Sequence, residues 1–219
     1  MIPAVEAVAS RRGVFERRIA GDYEIDEWGL DADLVRTLSP LAALRWAVDV
    51  EGGERIPEVG GALLVHNRRV GMSEPFVVSR GVRLATGRFL RPLGLPDVAP
   101  VGPALRRLGA AVNRPEEMAG LLRAGHLVAL SLDRSLRHRS RAGGLHPQAL
   151  TPAVAAGVPV LPVAVVGREL GRSWRVEIGE PLEAPAGGGP LAAAELADGV
   201  RAAVQRLLDE RLPPRWPFD

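Results

Sequence analysis

Short apolar runs separated by helix-forming stretches constrain this chain more than any other feature. Four runs can serve as buried strands: Ala-Leu-Leu-Val at 62–65, Leu-Val-Ala-Leu at 127–130, the nine-residue run at 158–166, and Trp-Arg-Val-Glu-Ile at 174–178. The first three are continuous, the pattern of strands covered on both faces, and the fourth alternates with a period of two. The segment 31–48 carries Leu34, Leu38, Leu41, Leu44 and Val48 at helical spacing, with Pro40 expected to kink or split the helix. Glu51-Gly-Gly reads as a turn, and 75–83 and 103–108 read as short helices. Asn113 is the expected cap of a further helix, with Pro115, Glu116 and Glu117 in its first turn and Gly125 closing it. Residues 191–212 form an amphipathic helix with Leu196, Val200, Val204, Leu207 and Leu208 on one face. Strands alternating with helices predict an α/β fold: a mixed, largely parallel central sheet covered by helices on both faces. Residues 1–28, charged and aperiodic with acidic Asp22, Glu24, Asp26 and Glu27, read as an N-terminal arm, and 29–219 as a single domain with a loop at 184–190.

Composition narrows the chemistry. At 219 residues and 47% hydrophobic content the chain can bury a sizeable core. It has no cysteine, so disulfides, cysteine nucleophiles and thiolate metal sites are excluded. The four histidines have no zinc spacing, and no metal or cofactor is expected. All 28 basic residues are arginine, yet the net charge is only +2 and aromatic residues make up 4%. That combination argues against nucleic acid. The uncharged stretch 151–167 is interrupted by Pro152, Pro159 and Pro162, so it reads as a turn and strand and not as a membrane span. The N-terminus lacks the apolar core of a signal peptide, and the expected location is cytoplasmic, with peripheral contact at the inner face of the membrane as an extension.

Four blocks, in order, resemble the glycerolipid (lysophospholipid) acyltransferase family that includes bacterial 1-acylglycerol-3-phosphate acyltransferases. They are Gly-Ala-Leu-Leu-Val-His-Asn-Arg-Arg-Val-Gly-Met-Ser-Glu-Pro-Phe at 61–76, Ala-Pro-Val-Gly-Pro-Ala-Leu-Arg-Arg-Leu-Gly-Ala at 99–110, Leu-Leu-Arg-Ala-Gly-His-Leu-Val-Ala-Leu-Ser-Leu-Asp-Arg-Ser at 121–135, and Ala-Gly-Val-Pro-Val-Leu-Pro-Val at 156–163. The lead-in Tyr-Glu-Ile-Asp-Glu-Trp-Gly-Leu-Asp at 23–31 is similar to that of actinobacterial members. The resemblance implies that fold and an acyl transfer in which a histidine deprotonates the acceptor hydroxyl, with an aspartate five positions later orienting it.

This chain departs from that pattern. Aligned on Asn67, the histidine position holds Arg68 and the aspartate position holds Ser73. An arginine keeps its proton at any working pH and is no base. A displaced base is the alternative: His66, with Glu74 or Asp133 as its carboxylate. The other reading of His66 is a core histidine bonded to backbone. In the third block Asp133 stands at the glutamate position, Arg134 replaces the glycine and Ser135 the threonine. Arg137, Arg139 and Arg141 remain to hold an anion. Asn67, Arg68, Arg69, Asp133, Arg134, Ser135 and Arg137 are the expected phosphate-binding set. Arg68, Arg69, Arg80, Arg83, Arg88 and Arg91 are expected to make the surrounding cleft positive.

Three functions follow. One is a non-catalytic protein of the acyltransferase fold, a pseudoenzyme of lipid metabolism, whose arginine-rich cleft binds a lipid phosphate or acyl-CoA or whose surface binds an active acyltransferase partner. The alternative is an active acyl-CoA-dependent lysophospholipid acyltransferase using His66. The third is an unrelated anion-binding α/β domain.

Overall fold

Asp31, fully buried, starts the first helix: its Oδ1 accepts from the Leu34 amide at 2.8 Å. In this computed structural model the described residues are 16–17, 19–21, 23–68, 71–134, 141–185 and 189–211. Their strands are β1 (Ala47–Glu51), β2 (Ala62–His66), β3 (Leu90–Pro92), β4 (Leu127–Ser131), β5 (Val160–Gly167) and β6 (Ser173–Ile178). The helices are α1 (Ala32–Arg45), α2 (Ser73–Thr86), α3 (Val101–Arg107), α4 (Pro115–Arg123), α5 (Thr151–Ala156) and α6 (Gly189–Arg211).

The strands form one sheet in the order β1–β6–β5–β2–β4–β3, parallel throughout except for the antiparallel β5–β6 hairpin. Alternate residues of β2 point to opposite faces and enter separate cores. Leu63 and Val65 pack with α4, α5 and α6, whereas Ala62 and Leu64 pack with Val77, Val78 and Val82 of α2. The expected mixed, largely parallel sheet covered on both faces is present. The closing helix also lies as expected, burying Leu196, Val200, Val204 and Leu208. Each such side chain contributes roughly 1.5–3 kcal/mol on leaving water.

Several boundaries differ from the sequence reading. The first helix ends at Arg45, and β1 takes over the stretch Ala-Val-Asp-Val-Glu. Val48 fits a helical stripe after Leu44 and a strand face equally well, so spacing alone extends the helix too far. Pro40 sits on the exposed side of α1 and the helix runs through it. The short edge strand β3 contains Pro92 and too few residues to show a period. Arg114, not Asn113, stands at the N-cap position of α4, and its side chain makes no capping hydrogen bond. Pro115 occupies its first turn, and Gly125 follows the end with a φ of 83°.

Residues 23–31 pack on the body. Asp26 Oδ1 accepts from the amides of Trp28 and Leu30, and its other oxygen pairs with buried Arg91. The Arg107 guanidinium lies 4.6 Å from the Tyr23 ring centre and donates to its hydroxyl. Trp28 covers Gly120, where a Cβ would lie 2.5 Å from the indole.

Candidate functional site

In a parallel sheet the carboxyl ends of the strands are the natural place for a site, because loops and helix starts converge there. Pairing of β2 with β4 puts His66 opposite Ser131, and its pairing with β5 puts it opposite Val163. The first and third sequence blocks therefore meet at one edge of the sheet. His66, Asn67 and Arg68 leave β2, Ser73 and Glu74 open α2, and Asp133 and Arg134 follow β4.

His66 is 2% exposed, and its Nδ1 lies 2.9 Å from the Asn67 carbonyl. Burial lowers its pKa to about 4, with Arg68 pushing the same way against the Asn67 hydrogen bond. The ring is thus neutral at pH 7. Asn67 holds the adjacent strand: its Nδ2 donates to the Val165 carbonyl at 3.0 Å, and its Oδ1 accepts from the Val165 amide at 2.7 Å. With both ends of the amide engaged, Asn67 locks β2 to β5. Arg68 is exposed, Glu74 is buried in the first turn of α2, and Asp133 and Arg134 are exposed beyond β4. The Asp133 amide donates to Gly144, and a Cβ on Gly143 would meet the Asp133 carbonyl at 1.7 Å. Arg69, Ser135, Arg137 and Arg139 lie outside the described residues.

A carboxylate that sequence reasoning missed lies here. Glu169, in the turn between β5 and β6, accepts from the Ser73 hydroxyl at 2.8 Å and from the amides of Met72 and Ser73 at 3.3 and 3.4 Å. It caps α2 from a segment about a hundred residues away, and neither the periodicity nor the motifs link the two.

Of the six arginines between 68 and 91, Arg68 stands at the first motif, Arg69 lies outside the described residues, and the other four have different surroundings. Arg88 donates to the carbonyls of Pro57, Gly60 and Gly125 at 2.6–2.7 Å, bracing the opposite end of β2 and β4. Arg91 is buried against Asp26. Arg80 and Arg83 lie on the outer side of α2, where a second feature appears. A cavity of about 620 Å³ runs between α1, α2 and α3, walled by apolar side chains including Leu38, Leu41, Phe76, Phe89 and Leu105, with Arg45, Arg80 and Arg83 among its lining. Trp46 and Phe76 stack at its end, 5.9 Å between ring centres. Arg80 Nε reaches the Trp46 carbonyl at 3.2 Å. Arg83 and Arg36 both approach the Phe89 ring, at 5.1 and 5.6 Å. Burial, then Arg36 and Arg80, lower the proton affinity of Arg83, and its Nη1 is buried without a hydrogen-bond partner.

A solved structure shares this architecture. The 1-acyl-sn-glycerophosphate (LPA) acyltransferase PlsC of Thermotoga maritima superposes with a TM-score of 0.60 over 84% of this chain and 83% of its own, at 24% identity. The fold is that of a glycerolipid acyltransferase. No protein-family model matches the chain. Among sequence relatives, an uncharacterized protein of Mycobacterium leprae is 25% identical across 95% of this chain and 73% of its own length. An uncharacterized protein of Mycobacterium tuberculosis is 24% identical across 96% and 75%. The four sequence blocks fall, in order, on β2 with the start of α2, on α3, on the end of α4 with β4, and on the end of α5 with the first half of β5. No described helix is long and apolar enough to cross a membrane, and no described group of histidines and carboxylates can hold a metal ion.

Proposed function

We propose that this protein binds an anionic single-chain lipid or acyl thioester on the acyltransferase fold and does not transfer the acyl group through a histidine base. The observation that carries the reading is the cavity between α1 and α2, apolar along its length yet lined by Arg80 and by an Arg83 whose Nη1 has no partner. Its volume, about 620 Å³, falls within the range of roughly 300–1,000 Å³ usual for small-ligand sites. An acyl chain fills the apolar part. A phosphate or carboxylate relieves the repulsion among Arg36, Arg80 and Arg83 by charge-assisted hydrogen bonds.

The chemistry at the sheet edge supports binding without turnover. General-base catalysis needs a group that accepts a proton near the working pH. An arginine already holds its proton at any working pH and cannot serve. His66 is pushed down to about 4, which makes it a weak base, and its Nδ1 faces the Asn67 carbonyl.

A radiolabelled acyl-transfer assay with acyl-CoA and lysophosphatidic acid tests this directly, beside equilibrium binding of each compound. The expected result is saturable binding without transfer, with binding weakened in Arg83→Ala. Transfer lost in His66→Ala and kept in Arg68→Ala would instead establish a relocated base and an active lysophospholipid acyltransferase. Neither binding nor transfer would turn the search to a protein partner such as an active acyltransferase.

A further inference from the structure

Helix α1 is fastened firmly at its two ends and weakly between them. At its rear, Arg45 donates to the carbonyls of Glu169 and Gly171, Trp46 stacks on Phe76, and the chain runs on into β1. At its front it hangs from the strap 23–31. The strap bonds largely to itself, through the Asp26 amide to Leu30 and the Gly29 amide to Asp26. Its Asp31 amide reaches the body at the Arg107 carbonyl, 3.0 Å away. Between the two ends no residue of α1 is buried, although Val35, Leu38, Leu41 and Ala42 wall the cavity. Pro40 offers no amide to the Arg36 carbonyl. The Arg80 hydrogen bond to the Ser39 carbonyl is long, at 3.4 Å.

We propose that α1 is a lid over the cavity, hinged at Arg45 and Trp46 and released when the strap 23–31 lifts from α3 and α4. The underside of the strap is incompletely bonded. Trp28 Nε1 on the strap, and Nε and Nη1 of Arg91 against it, are buried without hydrogen-bond partners among the described residues. Water admitted on lifting satisfies these donors, which offsets part of the contact that is lost. Asp26 on Arg91, Tyr23 on Arg107 and Trp28 over Gly120 hold the closed position. A segment with few buried apolar side chains opens at low free energy and independently of the core. Helix α1 meets that condition, whereas the strands of the central sheet are buried along their length.

An apolar chain in the cavity gives Val35, Leu38 and Leu41 a surface to pack on, so a ligand favours the closed lid. To that extent the lid rests on the acyl-binding reading. Its motion does not, and the two are measured separately.

Hydrogen exchange of the full-length protein, followed by mass spectrometry, tests the motion without a ligand. Amides of 23–45 are expected to exchange about tenfold or more faster than those of β2 and β4. Gly29→Cys with Arg106→Cys supplies a lock. A Cβ on Gly29 lies 3.7 Å from the Arg106 Cβ, a spacing that a disulfide spans, and the chain has no other cysteine. Oxidation is expected to slow exchange over 23–45 about tenfold or more, and reduction to restore it. The positive φ of Gly29, 87°, strains both forms alike, so the comparison is internal to one variant. Tyr23→Ala works in the opposite sense and is expected to speed exchange of α1 while leaving β2 as it was. Association of lysophosphatidic acid, followed by stopped-flow tryptophan emission, is expected to slow about tenfold in the oxidised form. Dissociation slows with it, so affinity changes little. Exchange of α1 as slow as that of β2, or equal exchange in oxidised and reduced protein, would overturn the proposal. So would an affinity change on oxidation with an unchanged association rate, which makes α1 a fixed wall. Lack of lysophosphatidic acid binding in the wild type would count against the acyl-binding reading alone, since the exchange rates still decide the lid.

Discussion

The Glu169 carboxylate lies 2.8 Å from the Ser73 hydroxyl, at the first turn of the helix that leaves the candidate site. Ser73 stands where the acyltransferase resemblance places an aspartate, so a carboxylate occupies this neighbourhood although the sequence position has lost one. It arrives from the other side of the site, and room for it comes from Gly71, whose φ is 147° and whose absent Cβ would sit 2.2 Å from Glu169 Oε2. An acid at a helix start also meets the positive end of the helix dipole.

Gly71→Ala is therefore expected to destabilise the protein by about 1–3 kcal/mol, combining a disfavoured backbone conformation with a displaced cap. Urea unfolding of Gly71→Ala, Glu169→Ala and the double variant checks this. The double variant should cost less than the sum of the two, because removing Glu169 leaves the new methyl nothing to strike. Strict additivity would mean that the two positions do not communicate.

A second expectation concerns pH. His66 has a folded pKa of about 4, below the unfolded value of 6.5, so the unfolded chain binds the proton more tightly. The stability that rests on neutral His66 is present above pH 6.5, falls as the pH drops through that value, and levels off below about 4. The loss amounts to about 3 kcal/mol at about 1.4 kcal/mol per pKa unit. Unfolding free energies across this window, for wild type and His66→Gln, should differ in slope by close to one proton. An unchanged slope would show that His66 is not the group responsible.

How much of this was legible beforehand differs between layers. Continuous apolar runs revealed β2, β4 and β5 because a strand covered on both faces needs an apolar residue at every position. Strand β1 was hidden because Leu44 and Val48 satisfy a helix as well as a strand. Asn67 was recognised as a site residue by its place in the motif, yet its amide is engaged by Val165, a partner 98 residues away that no local pattern announces. Glu169 and the cavity share that difficulty, since both depend on segments distant in the chain meeting in space. The arginines misled for a different reason. Of those clustered in sequence over 68–91, Arg80, Arg88 and Arg91 fall on a helix, a loop and a strand, and each of these three finds a different partner.

Arg91 illustrates a third expectation. Its side chain is 1% exposed and pairs with Asp26, from a segment whose acidic residues look like a solvated patch in the sequence. Burial lowers its proton affinity and Asp26 opposes that. Nε and Nη1 have no partner, so Asp26 carries the compensation of this cation among the described residues. Asp26→Asn should cost about 3–5 kcal/mol, whereas Arg91→Met, which removes the charge and keeps much of the bulk, should cost far less. Thermal and urea unfolding of the two variants decide this. Equal losses would show that the pair is not electrostatically coupled.

The cavity yields the last expectation, and it separates ligand binding from fold. Ala42 lines the cavity from α1 and is only half-buried, so Ala42→Trp can fill the space without displacing core residues. Arg83 lines the same wall, with its Nη1 buried beneath it and unpartnered. Isothermal titration with lysophosphatidic acid is expected to lose about tenfold or more in affinity for Arg83→Ala, since a charge-assisted hydrogen bond contributes roughly 1.5–3 kcal/mol. For Ala42→Trp binding should vanish because the chain has no room. The two changes should also differ with ligand: shortening the acyl chain weakens wild type and Arg83→Ala alike, and removing the phosphate weakens wild type but changes little in Arg83→Ala. Melting temperatures within a few degrees of wild type would show that the fold is intact. Equal sensitivity of wild type and Arg83→Ala to loss of the phosphate would place the headgroup elsewhere, at the sheet edge beside Arg68 and Arg134.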